Sequence, residues 1–199
     1  LESPRGFGPG VPGSRPVTGP VSTFQNTGGT WSQGVYDVIK AQGVSLVTFI
    51  PDGGHRGLIE RAQADPEMRA VTLSTEEEGV ALAAGAWLGG TKAVMLMQSS
   101  GVGNCVNMLS LLKTCQFPLL MLVTMRGEWG EFNPWQVPMG QATPAVLSAM
   151  GVLVVRVDDP GALPSEVEAA LRLAYSTYSP VAVLLSQKLL GSKVFGGKK

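Results

Sequence analysis

The sequence predicts an α/β fold, a three-layer parallel sheet of about six strands with helices on both faces, and three observations predict it. Six short apolar runs alternate with helical stretches between residues 31 and 190. The runs are continuous and mostly rich in branched side chains, with little polar alternation, as strands covered on both faces require. Strand and helix alternate singly, the order expected of right-handed crossovers in a parallel sheet.

Residues 1–30 are rich in Gly, Pro, Ser and Thr without an apolar period, so they are expected to form a flexible tail. A start at Leu1 instead of Met adds the expectation that part of it is foreign to the native protein. Within the single domain expected over residues 31–190, helices are predicted at Ser32 to Gln42, Gly54 to Ala64, Glu76 to Leu88, Gly103 to Thr114, Ala145 to Met150 and Pro164 to Ser176. The strands between them are Leu46 to Ile50, Ala70 to Leu73, Ala93 to Met97, Leu119 to Thr124, Leu153 to Val157 and Val181 to Leu185. Residues 191–199 read as a second tail.

Composition narrows the function. Hydrophobic residues make up 44% of the chain and charged residues 15%, a balance that suits a domain burying surface on several sides. An obligate partner and self-association are therefore both expected. Fifteen basic and fifteen acidic residues cancel, and no basic stripe is interleaved with aromatics, so nucleic acid and anionic membranes are set aside as partners. No apolar run approaches the roughly 18 residues of a membrane span. Cys105 and Cys115 lack C-x-x-C or zinc spacing and read as reduced core thiols of a cytoplasmic protein.

Ligands of open parallel sheets collect beyond the carboxyl ends of the strands, so the residues following each run carry the chemistry. After the second run comes Ser74-Thr75-Glu76-Glu77-Glu78, opening a helix of small residues through Gly79, Ala81, Ala83, Ala84 and Gly85. Ser74 or Thr75 can cap this helix, and acids in its first turn complement the macrodipole. Capping alone would account for them. The small residues beyond imply close approach on more than one side, which would place a carboxyl group at a subunit interface.

The third run ends in Gln98-Ser99-Ser100-Gly101-Val102-Gly103-Asn104. Gly101 and Gly103 suggest a tight strand-to-helix turn with close backbone approach to a ligand, although the segment lacks both GxGxxG spacing and a Walker ending. After the fourth run, Arg126 can hold an anionic substrate group in its guanidinium fork, or pair internally with Glu128 or another acid. Asp52 and His55, the single histidine, follow the first run. His55 is a candidate for proton transfer or a structural residue of the turn.

Taken together and in this order, these segments resemble the PYR domain of thiamine diphosphate enzymes. Within that family they are most similar to the alpha subunit of sulfopyruvate decarboxylase and to the phosphonopyruvate decarboxylases. The resemblance rests on Glu76 nine residues before Gly85 with alanines between, on Met97-Gln98-Ser99-Ser100-Gly101 with Gly103, Asn104 and Asn107, and on Arg126-Gly127-Glu128-Trp129-Gly130. It implies that Glu76 hydrogen-bonds the pyrimidine ring of thiamine diphosphate, with Glu77 ranked second for that role. Gln98, Ser99, Gly101, Gly103 and Asn104 are implied around the cofactor, and Arg126 and Ser100 around a small 2-oxoacid. Asp52 lies where related decarboxylases place a proton-relay acid, so Asp52 and His55 both remain candidates for the proton.

The family's diphosphate domain carries Gly-Asp-Gly followed by Asn, ligands of the divalent metal; this chain has no Gly-Asp-Gly. The resemblance therefore implies a separate beta subunit that binds the diphosphate and Mg2+, with no metal ligands in this chain. The reaction it implies is decarboxylation of 3-sulfopyruvate to sulfoacetaldehyde, with phosphonopyruvate or another acidic 2-oxoacid as the alternative. A non-catalytic module that kept the PYR fold and a plain nucleotide-binding α/β protein are the other classes weighed.

Overall fold

A computed structural model describes residues 31–191; the two expected tails, apart from Gly191, lie outside the described residues. Helix α1 spans Trp31–Ala41 and leads into strand β1, Val44–Phe49. There follow α2 (Arg56–Ala64), β2 (Arg69–Thr72), α3 (Glu76–Leu88), β3 (Lys92–Gln98), α4 (Ser99–Cys105), α5 (Leu109–Cys115) and β4 (Leu119–Thr124). A 3-10 turn at Pro134–Gln136 runs into α6 (Val137–Ala149), then β5 (Leu153–Val157), α7 (Leu163–Thr177), β6 (Pro180–Leu185) and α8 (Gln187–Leu190).

All six strands pair in parallel in the order β2-β1-β3-β4-β6-β5. The fold class read from the sequence is the one found. The four inner strands form the buried centre of the sheet, and β4 and β6 are buried along their whole length. Edge strands β2 and β5 are only partly covered.

Two cores flank the sheet. On one face α1, α2 and α7 pack on Val47, Phe49, Leu96, Leu120, Leu122 and Val183. On the other α3 through α6 pack on Leu46, Met95, Met97, Met121, Val123 and Leu184. The alternation of strand side chains between the faces explains why near-continuous apolar runs were needed.

The chain leaves β1 toward one edge of the sheet and leaves β3 toward the other, so the strand order reverses between them. That reversal opens a crevice beyond the carboxyl ends of β1 and β3, where such sheets bind ligands.

Local expectations fail where glycine and proline were read as punctuation. Gly101 and Gly103 do not form a strand-to-helix turn; both lie inside α4, which follows β3 with no intervening loop. The helix expected at Gly103 to Thr114 is thus two short helices. Helix α6 begins eight residues before the expected Ala145, with Pro138 in its first turn and Pro144 inside it. Gly140 explains its course: a Cβ there would lie 1.9 Å from the Arg126 carbonyl oxygen, so only glycine lets α6 lie directly on the loop after β4. Helix α8 was not foreseen; it is four residues long and held by Ser186 Oγ accepting from Leu189 N at 3.2 Å.

Candidate active site

Glu76 is the first residue of α3, yet only 7% of it is exposed. Its burial follows from the packing of α3 on α4. A Cβ on Gly101 would stand 2.3 Å from Glu76 Oε1 and 2.5 Å from Cδ, so the carboxyl group occupies the space that any larger residue at 101 would fill. On its other side, Asn104 Nδ2 donates to Glu76 Oε2 at 2.8 Å. One oxygen is fixed by an amide and the other lies over bare backbone. The thiol of Cys105, one residue on, is pushed up to about 12 by burial, with the charge of Glu76 adding to the effect.

The capping expected of Ser74 or Thr75 is absent. Thr75 occupies the cap position without a side-chain bond, and the Glu78 carboxylate accepts from Ser74 N at 2.8 Å instead. Glu78 therefore serves the helix end and Glu77 is exposed, which leaves Glu76 as the acid of the three that is buried. Gly79 lets the helix settle on the sheet, since a Cβ there would be 2.7 Å from Leu73 and 2.8 Å from Met95. On the outer face Ala81, Leu82 and Gly85 are exposed, and a Cβ on Gly85 would meet nothing within 4 Å. Within the chain, the close approach inferred from the small residues is found on the inner side.

A second polar cluster spans the crevice. Asp52 Oδ1 accepts from Gln98 Nε2 at 3.2 Å and Asp52 Oδ2 from Thr124 Oγ1 at 2.7 Å, so one carboxylate ties together the ends of β1, β3 and β4. Ser100 Oγ donates to Gln98 Oε1 at 3.0 Å and fixes the orientation of that amide. Thr124 was not singled out from the sequence; its signal was a polar residue closing the apolar run of β4. Ser99 is fully buried and its Oγ accepts from Arg126 N at 3.1 Å, so it joins α4 to the next loop. Gly103 faces Met139 of α6, whose Sδ would be 3.2 Å from a Cβ at 103.

His55 has no exposed surface. Its Nε2 lies 3.2 Å from Met97 O and 3.0 Å from Leu122 O, and since carbonyls only accept, Nε2 carries the hydrogen. Nδ1 is buried with no hydrogen-bond partner among the described residues. Burial holds the pKa of the imidazole below its ordinary value, against the opposing pull of Asp52. A ring enclosed in this way does not face the crevice, and of the two candidates for proton transfer it is Asp52, half-buried at the rim, that does.

Of the two arrangements expected of Arg126, the described chain shows the internal ion pair. Its Nε and Nη2 donate to Glu131 Oε2 and Oε1 at 2.7 and 2.6 Å, so the fork is filled by an acid of the same loop. Glu131 additionally accepts from Gly127 N at 3.1 Å, Asn133 N at 3.0 Å and Gln187 Nε2 at 2.9 Å, and the Arg126 guanidinium first among these holds its carboxyl down at about 2. The internal partner is Glu131 and not Glu128, which pairs with Arg156 of β5. The Arg126 ion pair belongs to the architecture of the loop. Cys115, read as a core thiol, is exposed, whereas Cys105 is buried; both are free.

Residues 29–131, which carry all of these strand ends up to the Arg126 loop, match the family described as thiamine pyrophosphate enzyme, N-terminal TPP binding domain. The chain belongs to this family. Sulfopyruvate decarboxylase subunit alpha of Methanococcus maripaludis is 33% identical to this chain over 155 residues, 77% of this chain and 93% of that protein. The subunit of the same name from Methanothermobacter thermautotrophicus is 36% identical over 155 residues, 77% of this chain and 94% of that protein. Among solved structures, 2-oxoglutarate:ferredoxin oxidoreductase from Magnetococcus marinus is similar in fold, with a TM-score of 0.63 at 16% identity over 80% of this chain and 29% of that one.

The residues present fit the cofactor of this family. A desolvated carboxyl group held in one orientation, with a glycine beside it that leaves its second oxygen uncovered by any side chain of residue 101, is what recognition of a ring nitrogen requires. Among the described residues no three His, Cys, Asp or Glu side chains cluster to hold a metal, and no helix is long and apolar enough to cross a membrane.

Proposed function

We propose that this chain is the alpha, or PYR, subunit of a thiamine diphosphate-dependent 2-oxoacid decarboxylase that converts 3-sulfopyruvate to sulfoacetaldehyde and carbon dioxide. The observation that carries the reading is the buried Glu76 carboxyl, fixed by Asn104 and seated over Gly101, in a chain that matches 93% and 94% of the length of two subunits of that name. When bound, thiamine diphosphate supplies the electron sink for decarboxylation.

This chain's residues do the rest of the work on its side of the site. Glu76 would hydrogen-bond the cofactor ring through the carboxyl oxygen seated over Gly101, while Asn104 keeps the other oxygen from rotating into its place. Gln98 and Thr124 hold the Asp52 carboxylate at the rim of the crevice, from which it moves a proton to or from the reacting carbon. Ser100 acts on substrate or through Gln98, to which it is bonded. With the Arg126 fork filled by Glu131, we assign recognition of the sulfonate to other groups of the assembled enzyme.

The diphosphate and its Mg2+ are assigned to a separate beta subunit. The uncovered apolar face of α3, through Ala81, Leu82 and Gly85, supports burial against another subunit, either beta or a second copy of this chain. Two free cysteines support a cytoplasmic location.

Carbon dioxide release from sulfopyruvate, phosphonopyruvate and pyruvate, by this chain with thiamine diphosphate and Mg2+, tests the reading. It is to be measured with and without a co-purified diphosphate-domain partner, alongside Glu76→Gln. The expected result is turnover that requires the partner, prefers sulfopyruvate and collapses in Glu76→Gln. Preference for phosphonopyruvate would replace the substrate, and turnover indifferent to the substitution would overturn the role of Glu76.

A further inference from the structure

We propose that His55 is a positioning residue, whose ring bolts the turn after β1 to the ends of β3 and β4 and so holds the Asp52 carboxylate at the crevice. The inference rests on the reading of Asp52 as the acid that faces the substrate. It replaces a direct proton-transfer role for His55, which full burial denies.

The geometry has three parts. One N–H of His55 is shared between Met97 O and Leu122 O, carbonyls of adjacent strands, at 3.2 and 3.0 Å. Met97 directly precedes Gln98, and Leu122 lies two residues before Thr124. The imidazole therefore anchors to the same two strand ends that supply donors to Asp52, Gln98 Nε2 and Thr124 Oγ1.

The turn itself has no slack. His55 N donates to Asp52 O at 3.2 Å, closing the loop between anchor and acid. A Cβ on Gly54 would stand 2.7 Å from Thr124 Cγ2 and 2.9 Å from Asp52 Oδ2, so the backbone between them is pressed flat against β4. Loss of the bolt thus loosens the turn that carries Asp52 against its two partners. The cofactor-facing carboxyl at Glu76 is held by other residues, Asn104 and Gly101, and is left in place.

The chain co-expressed with its diphosphate-domain partner serves for the test, with thiamine diphosphate affinity, KM and kcat measured separately for each variant. His55→Leu is expected to lower kcat about 10- to 100-fold, the scale of a catalytic group displaced by about an ångström, with cofactor affinity and KM unchanged. His55→Gln, whose amide nitrogen reaches the Nε2 position, is expected to recover most of that loss. Gly54→Ala moves Asp52 without touching the imidazole and is expected to reproduce it, which keeps the test open if His55→Leu does not fold.

Equal losses of cofactor affinity and kcat in His55→Leu, or no rescue by His55→Gln, would overturn the positioning role. Asp52→Asn separates the two levels. A loss in Asp52→Asn beside full activity in His55→Leu overturns the present inference alone, whereas full activity in Asp52→Asn removes the role of Asp52 and that of His55 with it.

Discussion

Glu76 and Gly101 occupy what would otherwise be the same space: a Cβ at 101 would lie 2.3 Å from Glu76 Oε1, 2.5 Å from Cδ and 2.6 Å from Cγ. The neighbour here is the one carboxyl group the site cannot displace without losing its orientation. Gly101→Ala is expected to lower turnover by about 100-fold through misplacement of Glu76, while overpacking costs on the order of 1–3 kcal/mol of stability. Thermal unfolding beside steady-state kinetics checks this; a variant with full turnover would show that Glu76 need not sit where it does.

Asn104 makes a separable contribution. Its amide hydrogen bond to Glu76 Oε2 spans 2.8 Å, and a bond to a charged group contributes about 1.5–3 kcal/mol. Asn104→Leu is expected to weaken thiamine diphosphate binding by roughly 10- to 100-fold, the same free energy expressed as affinity. Calorimetric titration of the assembled enzyme reads this directly, and unchanged affinity would mean that Gly101 packing alone orients the acid.

Much of this was legible in the sequence, for a physical reason. The bounds of α3, β4 and β5 follow from hydrophobic runs whose ends are abrupt, whereas Glu76 stands out from its two acidic neighbours only through the family's nine-residue spacing to Gly85, because capping alone would account for all three acids. Gly101 was recognised as special but for a turn it does not make, because a missing side chain reads the same whether it frees the backbone or admits a neighbour. The Arg126–Glu131 pair was illegible for a related reason. The four intervening residues are held in their fold-back by Gln187 of α8, 56 positions beyond Glu131.

Acid stability should show two separate windows. The folded pKa of His55 lies below its ordinary value of 6.5. Above 6.5 the ring is neutral in both states and nothing is lost. As pH falls below 6.5 the unfolded chain takes up a proton that the buried ring refuses, so stability declines until the folded pKa is reached. Glu131 acts lower: its stabilisation is full above the ordinary 4.5 and is lost as pH falls toward about 2. His55→Gln is expected to flatten the upper window and leave the lower one intact, Glu131→Gln the reverse, in chemical denaturation followed across pH. A decline near pH 6 that persists in His55→Gln would assign it elsewhere.

The outer face of α3 yields a prediction in which stability and activity move in opposite directions. Leu82 and Leu88 are exposed there at 39% and 75%, and the groove beside them, about 600 Å3, is lined by Leu46, Val71, Ala81 and Ala86. Within the isolated chain Gly85 has open space around it, and a glycine inside a helix costs about 0.5–1 kcal/mol relative to a good helix former. Gly85→Arg should therefore leave the isolated chain as stable as before or slightly more so. If another subunit lies against α3, the same substitution buries an unpaired charge at the contact and breaks assembly. The expected outcome is an unchanged or raised Tm for the chain alone, with loss of co-purification and of turnover. Retained assembly in Gly85→Arg would place the subunit contact on another face.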